Sequence, residues 1–159
     1  MKNTSKFEYS TIEEVIEAAK HFVGEKCNHS FQTESEAFCS PDLVGDFLLL
    51  NHEQTPHETF SVMFLNSKNK LICHEVIFSG SISSAQVYPR TIAQKALSCN
   101  AAAVILAHHH PSGDTKPSQS DIRLTENLKE ALKLIDVKVL DHFVIGGKTF
   151  FSMASHQLM

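Results

Sequence analysis

The stretch Ala102-Ala103-Val104-Ile105-Leu106-Ala107-His108-His109-His110-Pro111-Ser112-Gly113-Asp114-Thr115-Lys116-Pro117-Ser118-Gln119-Ser120-Asp121 joins a strand to a helix. Ala102 to Ala107 is a short unbroken apolar run, the pattern of a strand covered on both faces. A polar segment from His108 to Pro117 follows, and a helix is expected from Gln119 to about Lys133. Leu124, Leu128, Ala131, Leu132 and Ile135 fall on one face of that helix. Strand side chains alternate, so His108 and His110 project together while His109 points to the opposite side.

Upstream, Ser10 to Glu13 has capping-box spacing, and Ile12, Val15, Ile16, Ala19 and Phe22 predict a helix from Thr11 to about Val23. Ser40-Pro41-Asp42 opens a second helix, with Leu43, Phe47 and Leu50 as its expected apolar stripe. Glu58 to Leu65 alternates as a strand, with Phe60, Val62 and Phe64 in one row. Asn66 to Asn69 turns the chain, and Leu71 to Phe78 returns it. Pro89 suits a first helical turn, and Ile92, Ala96 and Leu97 carry that helix to Asn100. Val137 to Ile145 and Thr149 to Ser152 close the chain as strands around Gly146-Gly147. The order of elements predicts a mixed α/β layer fold.

Composition bounds the function. A chain of 159 residues with 42% hydrophobic and 20% charged residues fits an ordinary globular domain that needs no staples. No apolar run is long enough to cross a bilayer and no export signal is visible, so a cytoplasmic protein is expected. The four cysteines, Cys27, Cys39, Cys73 and Cys99, are too scattered for a zinc knuckle and are expected as free thiols in or near the core. The net charge of −4 and the lack of a Lys/Arg cluster argue against a nucleic-acid partner.

Ten histidines is a high count, and His108 and His110 are the pair whose placement suggests chemistry. Two imidazoles side by side can share one zinc ion, and Asp121, in the first turn of the next helix, can supply a third ligand. Such a set leaves one tetrahedral position open for a water whose pKa falls to about 7. A nearby carboxylate can take its proton and pass it to a leaving amine. Glu58 is the leading candidate, because parity puts it in the apolar row of its strand, where a carboxylate is costly without a partner. Glu75 is a rival that parity leaves open. Asp121 also completes a capping-box pattern with Ser118, so a purely helix-starting role fits it equally well. Asp114 reads as a turn residue and His142 as a hydrogen-bonded strand residue.

His108-x-His110, seven residues, Ser118, two residues and Asp121 resembles the metal motif of the JAMM (MPN-plus) metalloprotease superfamily. The string through Pro111-Ser112-Gly113-Asp114 and Pro117-Ser118, with Glu58-x-Phe60, Val87-Tyr88-Pro89-Arg90 and Leu140-Asp141-His142, is similar to the RadC-like branch. The likeness runs from about Ser40 to the C-terminus, dividing the chain into an N-terminal helical extension (1–40) and a RadC-like JAMM/MPN domain (41–159). It is strongest to short forms lacking an N-terminal helix-hairpin-helix region.

The resemblance implies a cytidine-deaminase-like α-β-α sandwich with a mixed sheet. It implies a zinc centre held by His108, His110 and Asp121, with Ser118 stabilising the oxyanion and Glu58 as general acid/base, which favours Glu58 over Glu75. The reaction implied is hydrolysis of a peptide or isopeptide bond in a peptide or protein substrate. The alternative is a zinc-stabilised, non-catalytic binding module in DNA repair, the family's label, or in mobile-element or defence processes; a metal-dependent nuclease is disfavoured by charge. His109 replaces the Asn usual between the ligand histidines, which changes a nearby contact without removing a ligand.

Overall fold

The computed structural model describes Thr11, Glu14 and residues 40–51, 56–80 and 87–159. Of the helix expected over Thr11 to Val23, one bond is described: the Glu14 N–H donates to Thr11 Oγ1 at 3.2 Å, an N-cap contact. The rest of that helix and of the 1–40 extension lies outside the described residues.

Three helices and five strands follow: α1 (Pro41–Asn51), β1 (Glu58–Leu65), β2 (Leu71–Gly80), α2 (Pro89–Ser98), β3 (Ala103–His110), α3 (Gln119–Lys133), β4 (Lys138–Gly146) and β5 (Thr149–Ser152). The strands form one mixed sheet in the order β2-β1-β3-β4-β5. The β3–β4 pair is parallel and the others are antiparallel. The crossover from β3 to β4 runs through α3, as a parallel pair requires.

Alternation along the central strands sends side chains into two cores. Met63, Leu65, Ile105, Ala107, Phe143 and Ile145 pack with α1 through Val44, Phe47 and Leu48. On the other face, Phe60, Val62, Phe64, Val104 and Leu106 meet Ile92 and Ala96 of α2 and Leu128 and Leu132 of α3. The result is the α-β-α sandwich expected from the sequence. The apolar row of β1 is indeed Phe60, Val62 and Phe64, but α1 covers the opposite row as well, so both faces are buried.

One boundary and one face differ from expectation. β3 continues through all three histidines, because β1 and β4 flank it to His109 and His110 respectively. The buried stripe of α1 is Val44, Phe47 and Leu48, while Leu43 packs only at the margin. Gly45 sits in that stripe because a Cβ there would fall 2.3 Å from the Phe150 ring. His74 has its ring 5.7 Å edge-on to Phe47 and a buried Nε2; burial lowers its pKa.

The two helices on the site face end alike. Asn100, in the left-handed region at φ 53°, lets the Asn100 and Ala101 N–H groups return to the Leu97 and Ala96 carbonyls. Asp136, at φ 58°, does the same with Lys133 and, through Val137, Leu132. Both are the hydrogen-bond pattern of a Schellman stop, and each delivers the chain directly into β3 or β4. At the other end of the sheet Asp141 ties β4 to β5 and the terminal turn. Its carboxylate accepts from the His142 N–H (2.7 Å), Ser152 Oγ (2.5 Å) and the Ala154 N–H (2.9 Å).

Cys73 and Cys99 are free and half-buried, as expected; Cys27 and Cys39 lie outside the described residues. Among the described residues no helix is long and apolar enough to cross a membrane.

Candidate metal centre

The strand pairing brings the predicted residues to one end of the sheet. His108 lies opposite Phe60 and His109 opposite Thr59 in the antiparallel β1–β3 register. Continuing that register by one residue sets Glu58 beside His110. By parity Glu58, His108 and His110 belong to the face covered by α3. His109 is buried on the α1 side.

The first turn of α3 supplies the carboxylate. Ser118 is its N-cap: Ser118 Oγ accepts from the Asp121 N–H at 3.2 Å, and Asp121 Oδ2 accepts from the Ser118 N–H at 2.7 Å. This reciprocal pair is the capping box anticipated from the sequence. The Ser118 hydroxyl also donates to Asp121 Oδ2 at 2.6 Å. The helix-cap role of Asp121 is therefore real, and it aims the second oxygen at the histidines. Asp121 Oδ1 lies 2.8 Å from His108 Nδ1, and Oδ2 lies 3.8 Å from His110 Nε2.

The donor chemistry fits a metal ion. One ligand atom from each of His108, His110 and Asp121 can be chosen so that all lie within 4.8 Å of one another, so the trio can hold a metal ion. His110 Nδ1 is 2.7 Å from the Asp114 carbonyl, which can only accept, so the proton sits on Nδ1 and Nε2 keeps its lone pair. A backbone carbonyl orienting the far nitrogen is the usual support for a ligating histidine. His108 Nε2 is buried with no hydrogen-bond partner among the described residues, a nitrogen that a Lewis acid would satisfy. Burial alone would raise the Asp121 carboxyl, but hydrogen bonds from His108 and Ser118 overcome it and hold the pKa well below the ordinary range. The group is ionised at neutral pH, as a metal ligand must be.

Behind the trio lies a pairing that sequence reasoning missed, although His142 is the hydrogen-bonded strand residue expected. Thr125 and His142 are fully buried. Thr125 Oγ1 donates its single proton to the Asp121 carbonyl at 2.7 Å, so His142 Nδ1–H donates to Thr125 Oγ1 at 2.6 Å. Burial pushes the His142 pKa down to about 3 and keeps the ring neutral. The Phe60 ring stands edge-on to it at 5.6 Å. The only sequence signal was Thr125 one helical turn after Asp121; its partner lies 17 residues further on.

The rival carboxylate is engaged elsewhere: Glu75 Oε2 pairs with Lys95 Nζ on α2 at 2.9 Å. Asp114 is a turn residue, as expected, its Oδ1 accepting from the Lys116 N–H at 2.9 Å. Its carbonyl, however, orients His110.

Gly146, at the end of β4, makes room for that loop. A Cβ there would lie 2.5 Å from the Gly113 oxygen and 2.6 Å from its carbonyl carbon, both backbone atoms. Gly146→Ala is therefore expected to destabilise the protein by about 1–3 kcal/mol and, by displacing Asp114, to weaken metal binding. Denaturant unfolding and chelator competition on the same variant check both effects.

Two of the trio, His108 and Asp121, lie with Phe60 in the wall of an open cavity of about 520 Å³. Comparison with known proteins agrees with this architecture. The model of the RadC-like JAB domain matches residues 38–158. The chain is 49% identical over 123 residues to the UPF0758 protein YfjY of Escherichia coli (strain K12), covering 77% of each chain. It is 46% identical over 123 residues to the UPF0758 protein YkfG of the same organism, covering 77% of this chain and 78% of the relative. A UPF0758 protein of Ectopseudomonas mendocina (strain ymp) is 44% identical over 146 residues, covering 92% of this chain and 63% of its own length. The chain thus spans less than two thirds of the longer relatives. With the domain match running through every candidate ligand, this chain belongs to the RadC-like JAB domain family.

Proposed function

We propose that the protein is a zinc-dependent hydrolase of peptide or isopeptide bonds. The observation that carries this reading is a trio of possible ligands, two of which, His108 and Asp121, lie in the wall of an open cavity rather than in a sealed pocket. Structural zinc sites are closed by four protein ligands, whereas catalytic ones use three and keep one position open. Two imidazoles with one carboxylate match the second kind and suit zinc over harder cations.

Zinc bound by His108, His110 and Asp121 would supply Lewis acidity, activating water and polarising a carbonyl. The protein's own groups would do the rest. Glu58, at the strand end beside His110, would accept a proton from the attacking water and deliver it to the departing amine. The Ser118 hydroxyl, now donating to Asp121 at 2.6 Å, would turn its proton toward the oxygen that gains charge. Asp121, held ionised, and the His142–Thr125 wall would keep the ligand set in place.

A metal-stabilised binding module without turnover is the alternative, favoured by the capping box that gives Asp121 a structural duty. A panel of peptide- and isopeptide-linked substrates separates the two. Cleavage is expected with zinc-loaded protein, lost after chelation and restored by zinc. Absence of cleavage across the panel by protein holding one zinc per chain would favour the binding module.

A further inference from the structure

The cavity next to the trio has a composition of its own. Phe60 and Phe78 at the strand ends, Val87 before α2 and Leu124 on α3 give it an apolar wall. Its volume of about 520 Å³ is in the range of sites that enclose a small ligand or a short stretch of chain. Arg123 and Asn127, one turn apart on α3, form its polar edge.

The charge at this edge is unusual for the chain. The sequence has only two arginines against twelve lysines, with a net charge of −4. Arg123 lines the cavity, and the other arginine, Arg90, is an exposed residue next in sequence to the lining residue Pro89. Among the described residues the Arg123 guanidinium holds one weak contact, to Ser120 Oγ at 3.3 Å. The acidic residue in the wall, Asp121, has its oxygens engaged by His108 and Ser118. A guanidinium fork matches a carboxylate in two parallel hydrogen bonds, which a lysine ammonium does not.

We propose that this cavity is a recognition subsite for an extended peptide segment bearing an apolar side chain followed by a carboxylate. The apolar side chain occupies the pocket of Phe60, Phe78, Val87 and Leu124. The carboxylate pairs with Arg123. A segment bound this way passes directly over His108 and Asp121. The inference names the substrate class for the hydrolase reading and rests on it for its biological sense, but its test reads binding.

Fluorescein-labelled peptides with a central Leu-Phe-Glu and an amidated C-terminus are compared by anisotropy with the Leu-Phe-Gln counterpart. A third peptide ending in Leu-Phe with a free C-terminal carboxylate identifies the source of the charge. At least one carboxylate peptide is expected to bind about tenfold more tightly than the neutral one. Arg123→Ala should abolish that preference by weakening the carboxylate peptide about tenfold more than the neutral one, and Arg123→Lys should restore only part of it. Equal binding of charged and neutral peptides, or an equal loss for both in Arg123→Ala, overturns the subsite. Arg123-dependent binding without cleavage would support the subsite and count against the hydrolase. Cleavage indifferent to Arg123 would do the reverse.

Discussion

Glu58→Gln is expected to leave the metal in place and to reduce hydrolysis by at least about a hundredfold, the lower end of what a positioned acid/base contributes. The expectation follows from three features. Glu58 opens β1 and by parity shares the face of His108 and His110, one residue beyond the Thr59–His109 pair of the β1–β3 register. It is half-buried rather than sealed in the core. The competing carboxylate, Glu75, is bound to Lys95. Glutamine keeps the size and hydrogen-bonding reach of glutamate but cannot accept a proton near neutrality. Initial rates on a substrate cleaved by the wild type, normalised to bound zinc, check this outcome. Full activity in zinc-loaded Glu58→Gln would remove Glu58 from the mechanism.

Asp121→Ala is expected to weaken zinc binding by more than about a hundredfold, since even outer-shell partners of metal ligands cost 10–100-fold. The same residue caps α3, so a second effect must be separated. Losing the cap leaves the Ser118 N–H without its carboxylate partner and should cost about 1–2 kcal/mol of stability. Chelator-treated wild type and variant should differ by that modest amount in denaturant unfolding. With zinc present the gap should widen, because only the wild type gains binding free energy on folding. A variant that loses stability but keeps wild-type affinity in chelator competition would mark Asp121 as a helix cap alone. His110→Ala, which leaves the capping box untouched, gives the independent comparison.

Much of the site face was legible in the sequence because local patterns there agree with one another. The apolar run into β3, the alternation through His108 and His110, and the capping box at Ser118 each specify geometry within a few residues. Together they put two imidazoles and a carboxylate at one strand–helix junction, where the structure has them. The helix α3 and the strands β1 and β5 lie over the spans read from the pattern.

The misreadings have equally physical causes. Residues 43–50 are apolar at all but Gly45 and Asp46, so helical periodicity was nearly silent and the buried stripe fell on Val44 and Leu48 instead of Leu43 and Leu50. The Asp114 carbonyl that orients His110 is backbone and leaves no trace in residue identity. The Thr125–His142 bond joins α3 to β4 and exists only once the β3–α3–β4 crossover is closed. The meeting of Arg123 with an apolar pocket likewise needed the fold to bring Phe78, Val87 and Pro89 beside α3.

The central claim, a metal centre made by His108, His110 and Asp121, is tested most directly by metal content. Elemental analysis of the wild-type protein, purified without chelators and with no metal added, should find one zinc ion per chain. His110→Ala handled in parallel should retain only a small fraction of that amount. A folded wild-type protein that neither carries a divalent ion nor takes one up at equimolar zinc would contradict the account. So would a His110→Ala protein with its zinc undiminished.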